Sequence, residues 1–302
     1  MDDFRRYVRR CSTLITFVFA FSALSFIGLE RAEAGLKVMN FNVMCRMCKK
    51  RKEYGKFKER LANIIDTVKR HDPDLISFQE VGTAGQLKKM NKMLGNRYEI
   101  FSHDRGLKWA DPALFVKKER FTAANPGGVW LGKKLPKFSF GWGKLGIPRR
   151  FQWVFVKDRT NGQSFLFAGT HFDNHGANKA PASLYAAEFF KAAFRDAGIP
   201  VLFAGDSNLN PSMEGYANLK STGMTDSFHD VSQVTYFSNK PYDPNDACGD
   251  EKGAVFPDCR IDHVMKSPGF PWRATSWGVD VFRYTKWNWW VSDHRAVIVN
   301  FE

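Results

Sequence analysis

With 302 residues and no repeat or low-complexity tract, the chain has room for one large domain or two small ones and ample core. Its 45 Lys and Arg against 31 Asp and Glu give a net charge of +14. That balance suits a polyanion or an anionic membrane surface as partner. Beyond the N-terminus no segment is long and apolar enough to cross a bilayer as a helix.

The first residues read as an export signal. Arg5, Arg6, Arg9 and Arg10 precede an apolar run from Cys11 to Leu29, and Ala32-Glu33-Ala34 supplies small residues at cleavage spacing before Gly35. A signal peptide over 1–34 is therefore expected, with an uncleaved anchor as the alternative. The mature chain, 35–302, keeps a net charge near +13 once five basic and four acidic residues are removed. Its expected location is periplasmic or extracellular. Four cysteines remain: Cys45, Cys48, Cys248 and Cys259. Export favours disulfides, with three possible connectivities. Zinc is the competitor, because Cys45-Arg-Met-Cys48 has ligand spacing.

Leu36 to Val43 alternates as a strand ending near Asn42, and a basic cluster follows at Arg46 and Lys49–Lys52. From Tyr54 to His71, Phe57, Leu61, Ile64, Ile65 and Val68 recur at helical spacing, and Asp72-Pro73 ends the helix. Asp74 to Glu80 is a buried strand, and Thr83 to Leu94 a helix stopped by Gly95-Asn96. Strands are expected over Tyr98–Ser102, Ala113–Val116, Gln152–Lys157 and Ser164–Thr170. Lys137 to Arg150 mixes Phe138, Phe140, Trp142 and Ile147 with basic residues, as an exposed loop or as packed aromatics. His171-Phe-Asp173 closes one strand, and a helix is expected from Pro181 to Ala197.

Val201 to Ala204 is a short apolar strand that delivers Asp206, Ser207 and Asn208 at its carboxyl end. Asp206 and Asn208 stand two apart and so share a face in extended chain. An acid and an amide on one face suit an anionic oxygen substrate near a metal. Ser212 to Ser221 is a short helix, and Val231 to Asp258 is turn-rich. Arg260 to Val264 is a strand bearing Asp262 and His263, with further strands at Ala274–Gly278 and Val279–Tyr284. Lys286 to Trp290 is a second aromatic-basic stretch, and Ser292-Asp-His294 leads into the closing strand at Ala296–Phe301.

Six strand ends thus carry polar groups: Asn42, Glu80, His171 with Asp173, Asp206 with Asn208, Asp262, and Asp293 with His294. Buried charges are costly unless paired or metal-bound, so six such ends in one chain point to one site. Glu80, Asn42 and Asp293 offer hard oxygen ligands suited to Mg²⁺ or Mn²⁺.

The motifs Asn40-Phe-Asn42, Gln79-Glu80, Thr170-His-Phe-Asp173, Gly205-Asp-Ser-Asn208, Ile261-Asp-His263 and Ser292-Asp-His294 stand in the order found in the endonuclease/exonuclease/phosphatase (DNase I-like) superfamily. The chain resembles that family of metal-dependent phosphoesterases over nearly all of its mature length. The resemblance implies an α+β fold, a four-layered αββα sandwich in a single domain, with the site at the sheet ends. It implies that His294 pairs with Asp293 and acts as base or polarises the attacking water. It has Asp206 and Asn208 position that water or the phosphate, His171 stabilise phosphate oxygens or assist the leaving group, and Asp262 serve a second metal or the water. Asp173 is expected to bind substrate. Ser207 departs from the family, which usually has a larger apolar or aromatic residue there.

The expected substrate is a phosphodiester, in nucleic acid or in membrane phospholipid. Thr275-Ser-Trp-Gly278 and Pro181-Ala-Ser183 resemble bacterial sphingomyelinases, whereas the positive charge fits a nuclease equally well. A phosphomonoesterase acting on an inositol phosphate and a non-enzymatic membrane-lipid-binding protein are the alternatives. A monomer with no obligate protein partner is expected.

Overall fold

The computed structural model describes residues 35–46, 48, 54–102, 111–142, 147–249, 255–284 and 290–302. The expected signal peptide, the Lys49–Lys52 cluster and Lys286–Trp289 lie outside the described residues.

Two sheets carry the chain. The first has β1 (Leu36–Asn42), β2 (Leu75–Gln79), β3 (Tyr98–Phe101), β4 (Ala113–Lys117), β10 (Val234–Phe237), β12 (Ala274–Asp280) and β13 (Val297–Phe301), in the order β10-β12-β13-β1-β2-β4-β3. The second has β5 (Phe121–Leu131), β6 (Arg149–Asp158), β7 (Ser164–His171), β8 (Val201–Asp206), β9 (Thr225–Asp226) and β11 (Asp262–Lys266), in the order β5-β6-β7-β8-β11-β9.

Strand alternation dictates four layers. Along the first sheet, Val38, Leu75, Leu114 and Val299 face the second sheet, while Met39, Ile76, Phe115 and Ile298 face outward. The outward face is covered by α1 (Phe57–His71) and α2 (Ala84–Met93), through Phe57, Leu61, Ile64 and Leu87. The second sheet sends Val154, Phe165, Phe167 and Leu202 inward. Its other face meets Tyr185, Phe189 and Phe190 of α3 (Gly176–Phe190) and Leu219 of α4 (Glu214–Lys220). The αββα sandwich follows directly: each sheet is apolar on both faces, so each needs a layer on both sides.

Helix α1 ends where the sequence marks it, with Asp72 in the left-handed region (φ 44°) and its N–H on Val68 O. Several elements differ from expectation. The strands expected at Ala274–Gly278 and Val279–Tyr284 are one strand, Ala274–Asp280, and β10 lies within the stretch read as turn-rich. Helix α3 begins at Gly176 rather than Pro181, with Pro181 inside it, and continues as a π-helical stretch over Lys191–Asp196. Its first turn is fixed by tertiary bonds: Asn178 Nδ2 donates to Asp173 Oδ2 and Asn178 Oδ1 accepts from Trp142 N–H. Strand β5 runs through Asn125-Pro126-Gly127, a sequence that reads as a break, and does so at a sheet edge with a register shift between Ala124 and Gly127.

Register sets what meets at the open end of the sandwich. Strands β1 and β2 are parallel, with Asn42 opposite Gln79, and β7 and β8 are parallel, with His171 opposite Asp206. Strand β11 runs antiparallel to β8, so its first residue, Asp262, lies beside Asp206. Strand β13 runs antiparallel to β1, which brings the Ser292–His294 segment to the same end.

In the Lys137–Arg150 stretch, Phe138, Phe140 and Ile147 are exposed and Trp142 is half-buried. Trp290 is half-buried between the guanidinium groups of Arg283 and Arg295. No helix among the described residues is long and apolar enough to cross a membrane.

A buried ionic knot locks β9 to β11. Asp226 accepts from Arg260 Nη1 (2.9 Å), Tyr216 Oη (3.0 Å) and Phe228 N (3.1 Å), and His263 Nδ1 lies 3.1 Å away. Burial alone would raise the Asp226 carboxyl, but His263 and Arg260 outweigh it and hold the group well below the usual carboxylate range. A depressed carboxyl contributes its stability above its unfolded value, about 3.9, and loses it as pH falls toward the folded one. Asp226→Asn is expected to be about 3 kcal/mol less stable than wild type in denaturant titrations at pH 7, because it leaves Arg260 buried without its partner. The difference should shrink below about pH 4.

Candidate active site

Two carboxylates begin the site. Asp206 ends β8 and Asp262 starts β11, side by side across the antiparallel pair, and both are buried. Like charges in that position repel, and His294 resolves the conflict. Its Nδ1 is 2.7 Å from Asp262 Oδ2, and its Nε2 is 3.8 Å from Asp206 Oδ2. Burial works against the imidazolium, but Asp262 and then Asp206 hold the His294 pKa well above its ordinary value. Burial and the neighbouring Asp206 raise the Asp262 carboxyl despite His294. Asp206 moves the other way: His294, His171 and the Asn42 amide outweigh its burial and lower it.

The partner of His294 is thus Asp262, not Asp293 as the resemblance implied. Asp293 Oδ1 instead faces Ser292 Oγ at 3.3 Å. Ser292 Oγ also donates to Asn42 O at 2.8 Å, pinning the segment to the end of β1. Asp262 Oδ1 accepts from Asn40 Nδ2 at 2.9 Å, and Gln79 Nε2 holds Asn40 Oδ1 at 2.9 Å. This polar relay crosses from one sheet to the other.

Asn42 is placed as an organiser. Its Oδ1 accepts the Met44 N–H at 3.0 Å, and its Nδ2 donates to Asp206 Oδ2 (2.9 Å) and to Glu80 Oε1 (3.4 Å). Two carboxylates on one side and an N–H on the other fix the amide orientation. Its nitrogen, not its oxygen, faces the acids. Glu80 stands in the left-handed region, φ 62°, and so does Asn208, φ 50°. Such backbone is strained for non-glycine residues and persists where neighbours hold it. The Glu80 N–H donates to Asp111 Oδ1 (3.1 Å), and Asn208 Nδ2 donates to Phe172 O (2.9 Å). Beneath them, buried Arg60 donates to the carbonyls of Val43, Met44 and Val291. Burial pushes its pKa down to about 10 against the pull of Asp293 and Glu80.

His171 presents Nε2 to Asp206 Oδ2 at 3.4 Å and to Glu80 Oε1 at 3.9 Å. Its Nδ1 is 2.8 Å from Asp111 Oδ2, and Arg149 Nη1 reaches the same oxygen at 3.4 Å. Burial opposes the Asp111 charge, yet His171, Arg149 and the Glu80 N–H keep its carboxyl low. Asp111 was not singled out from sequence. It follows a polar segment rather than an apolar strand, and its place depends on the pairing of β2 with β4. Asp173 takes a different place from the one expected. Its buried carboxylate accepts from Ile147 N, Asn178 Nδ2 and His175 N, which positions loops rather than substrate. Ser207 ties β8 to β11, donating to Ile261 O and accepting from Leu209 N–H.

Glu80, His171, Asp206, Asn208, Asp293 and His294 line one cavity of about 320 Å³. Phe256, Trp277, Val279 and Val297 give it apolar lining as well. The four cysteines form two disulfides, Cys45–Cys48 and Cys248–Cys259, and the second lines this cavity. In the oxidised protein that pairing sets the zinc alternative aside. The donor set fits a hard divalent cation: ligand atoms of Asp206, Asp262 and His294 lie within 4.8 Å of one another, and Glu80 and Asp293 bring further oxygens to the cavity.

Buried carboxylates, two carboxylate-backed histidines and hard oxygen donors at the ends of a DNase I-like sandwich define a phosphoester hydrolase. The sequence profile of the Endonuclease/Exonuclease/phosphatase family matches residues 39–294, and the chain belongs to that family. Its fold is similar to that of a mannosyl-6-phosphatase from Bacteroides thetaiotaomicron (TM-score 0.69, 24% identity, 88% of this chain and 99% of that one). It is similar also to an endonuclease/exonuclease/phosphatase from Bacteroides vulgatus (TM-score 0.71, 18% identity, 89% and 99%). A third similar structure is D. rerio TDP2 complexed with single-strand DNA product (TM-score 0.65, 14% identity, 89% and 100%).

Asp111 acts on His171 and Glu80 together. Asp111→Asn is expected to lower kcat/KM on bis(p-nitrophenyl) phosphate roughly 10–100-fold, the usual loss on removing an outer-shell partner.

Proposed function

We propose that this chain is an exported, divalent-cation-dependent phosphoesterase that hydrolyses a phosphodiester by attack of water. The observation that carries this reading is the meeting of Glu80, His171, Asp206 and the Asp262–His294 pair at one cavity, drawn from both sheets. Glu80, Asp293 and Asp206 would hold Mg²⁺ or Mn²⁺. Bound there, the cation supplies charge neutralisation at a phosphoryl oxygen.

The protein's own groups do the rest. Asp262 orients the His294 ring through Nδ1, leaving Nε2 toward the cavity to hold the attacking water or carry its proton. Asp206, tied to Asn42 Nδ2 and the Asn208 N–H, positions that water. His171 directs Nε2 at the phosphate, with Asp111 fixing the opposite nitrogen. Arg149, also at the cavity, adds positive charge beside it.

The chain's positive charge favours a polyanionic diester. A second reading, hydrolysis of a small phosphomonoester, is supported by the bounded cavity and by the likeness to a mannosyl-6-phosphatase. Export rests on the signal-like sequence before Gly35.

Mature protein from Gly35 should release product from plasmid DNA, sphingomyelin liposomes or a sugar- and inositol-phosphate panel only with Mg²⁺ or Mn²⁺. His294→Ala should reduce that rate about 10²–10⁴-fold. Turnover undiminished by chelator or by His294→Ala would overturn the assignment, and the substrate cleaved decides between diester and monoester.

A further inference from the structure

Glu80 has two faces. Oε1 looks toward the catalytic cavity, 3.4 Å from Asn42 Nδ2 and 3.9 Å from His171 Nε2. Oε2 looks the other way, accepting the Cys45 N–H at 2.9 Å and lying 3.0 Å from Cys48 Sγ. A disulfide sulfur has no proton to donate and no charge to offer a metal. Both sulfurs and a Glu80 oxygen nevertheless lie within 4.8 Å of one another.

We propose that reduction of Cys45–Cys48 creates a second metal site, formed by two thiolates and Glu80, for a thiophilic divalent cation such as Zn²⁺. Filling this site draws Glu80 away from the catalytic cavity. The reduction is balanced by an external thiol or phosphine reductant: the disulfide gains two electrons and two protons, and each thiol gives up its proton on binding the cation. Two sulfurs and one oxygen make a three-ligand site with its fourth position open to water, at bond lengths of about 2.0–2.3 Å. Sulfur ligation selects Zn²⁺ over Mg²⁺, so the two sites differ in chemistry while sharing one carboxylate.

The surroundings support both steps. A separate cavity of about 230 Å³ opens onto the sulfurs and admits reductant and metal. Arg46, Lys56 and Lys58 line it. The bond from Cys48 N–H to Cys45 O (3.2 Å) already folds the turn that brings the two sulfurs together. Opposing motion of Glu80, the Asp111 anchor on its backbone N–H fixes its main chain, so the exchange is a side-chain swing. The effect on hydrolysis rests on the phosphoesterase reading; the metal site does not.

The test uses the mature protein, reduced with a phosphine and titrated with Co²⁺, whose thiolate complexes absorb by charge transfer in the near ultraviolet. Reduced wild type should develop this band to one equivalent per chain, and Zn²⁺ should abolish it. The oxidised protein and the Cys45→Ser/Cys48→Ser variant should show none. Cys248→Ser/Cys259→Ser should retain the band, which excludes the other disulfide as its source. Glu80→Gln should keep the band but weaken Co²⁺ binding about 10-fold or more. No band in reduced wild type, or an undiminished band in Cys45→Ser/Cys48→Ser, overturns the site. Hydrolysis in excess Mg²⁺ should fall on adding one equivalent of Zn²⁺ to reduced but not to oxidised protein; a band with unchanged hydrolysis overturns the withdrawal of Glu80. A protein inactive in every state would sink the phosphoesterase reading and leave the cobalt result to decide the site.

Discussion

The antiparallel pairing of β8 with β11 sets the terms for everything at the open end of this sandwich. It fixes Asp206 beside Asp262 in a buried position, where two adjacent carboxylates cannot both be charged without compensation. The protein meets that demand with groups from the other sheet and from the segment before β13. Asn42 Nδ2 satisfies Asp206, Asn40 Nδ2 satisfies one oxygen of Asp262, and His294 takes the other. The pKa directions record the division of labour: Asp206 is held low, Asp262 is pushed up and His294 is pushed well up. A cation arriving at the cavity would enter a field already arranged for positive charge.

The same economy applies to the histidines. Each is backed by a buried acid on Nδ1, His294 by Asp262 and His171 by Asp111, and each turns Nε2 toward Asp206. Two rings therefore converge on one carboxylate, His171 from the end of β7 and His294 from the segment before β13. Such pairing fixes ring orientation, so the reacting atoms are placed by hydrogen bonds. The strained backbone at Glu80 and Asn208 belongs to this design, because it turns side chains at two strand ends toward a common centre.

Most of the scaffold was legible because its signals are local. Alternation marked β1, a continuous apolar run marked β8, and helical spacing marked α1 with its Asp72 stop. The six polar strand ends found the site for the same reason: polar groups closing apolar strands stand out without knowledge of tertiary structure. What stayed hidden depends on contact across the fold. Strand β5 tolerates Pro126 only because it lies at a sheet edge. The register of β11 on β8 decides that His294 meets Asp262 rather than its neighbour Asp293. Asp111 carries no motif of its own, and Asp173, though within one, spends its carboxylate on loops. Ser207, a departure from the family pattern, proves to be a strand-end tie.

The cysteine turn shows how closely the rim is coupled to the centre. Cys45 lies only three residues beyond Asn42, and its N–H holds Glu80 Oε2 while Asn42 Nδ2 holds Oε1. The carboxylate is thus suspended between the end of β1 and the turn that follows it. Arg60 clamps that turn from below through the Val43 and Met44 carbonyls, and reaches Val291 on the segment leading to His294. One buried guanidinium therefore joins the loop that steers Glu80 to the loop that carries the histidine. Any change in the Cys45–Cys48 turn is felt first at Glu80, because its main chain is held by Asp111 and only its side chain is left to respond.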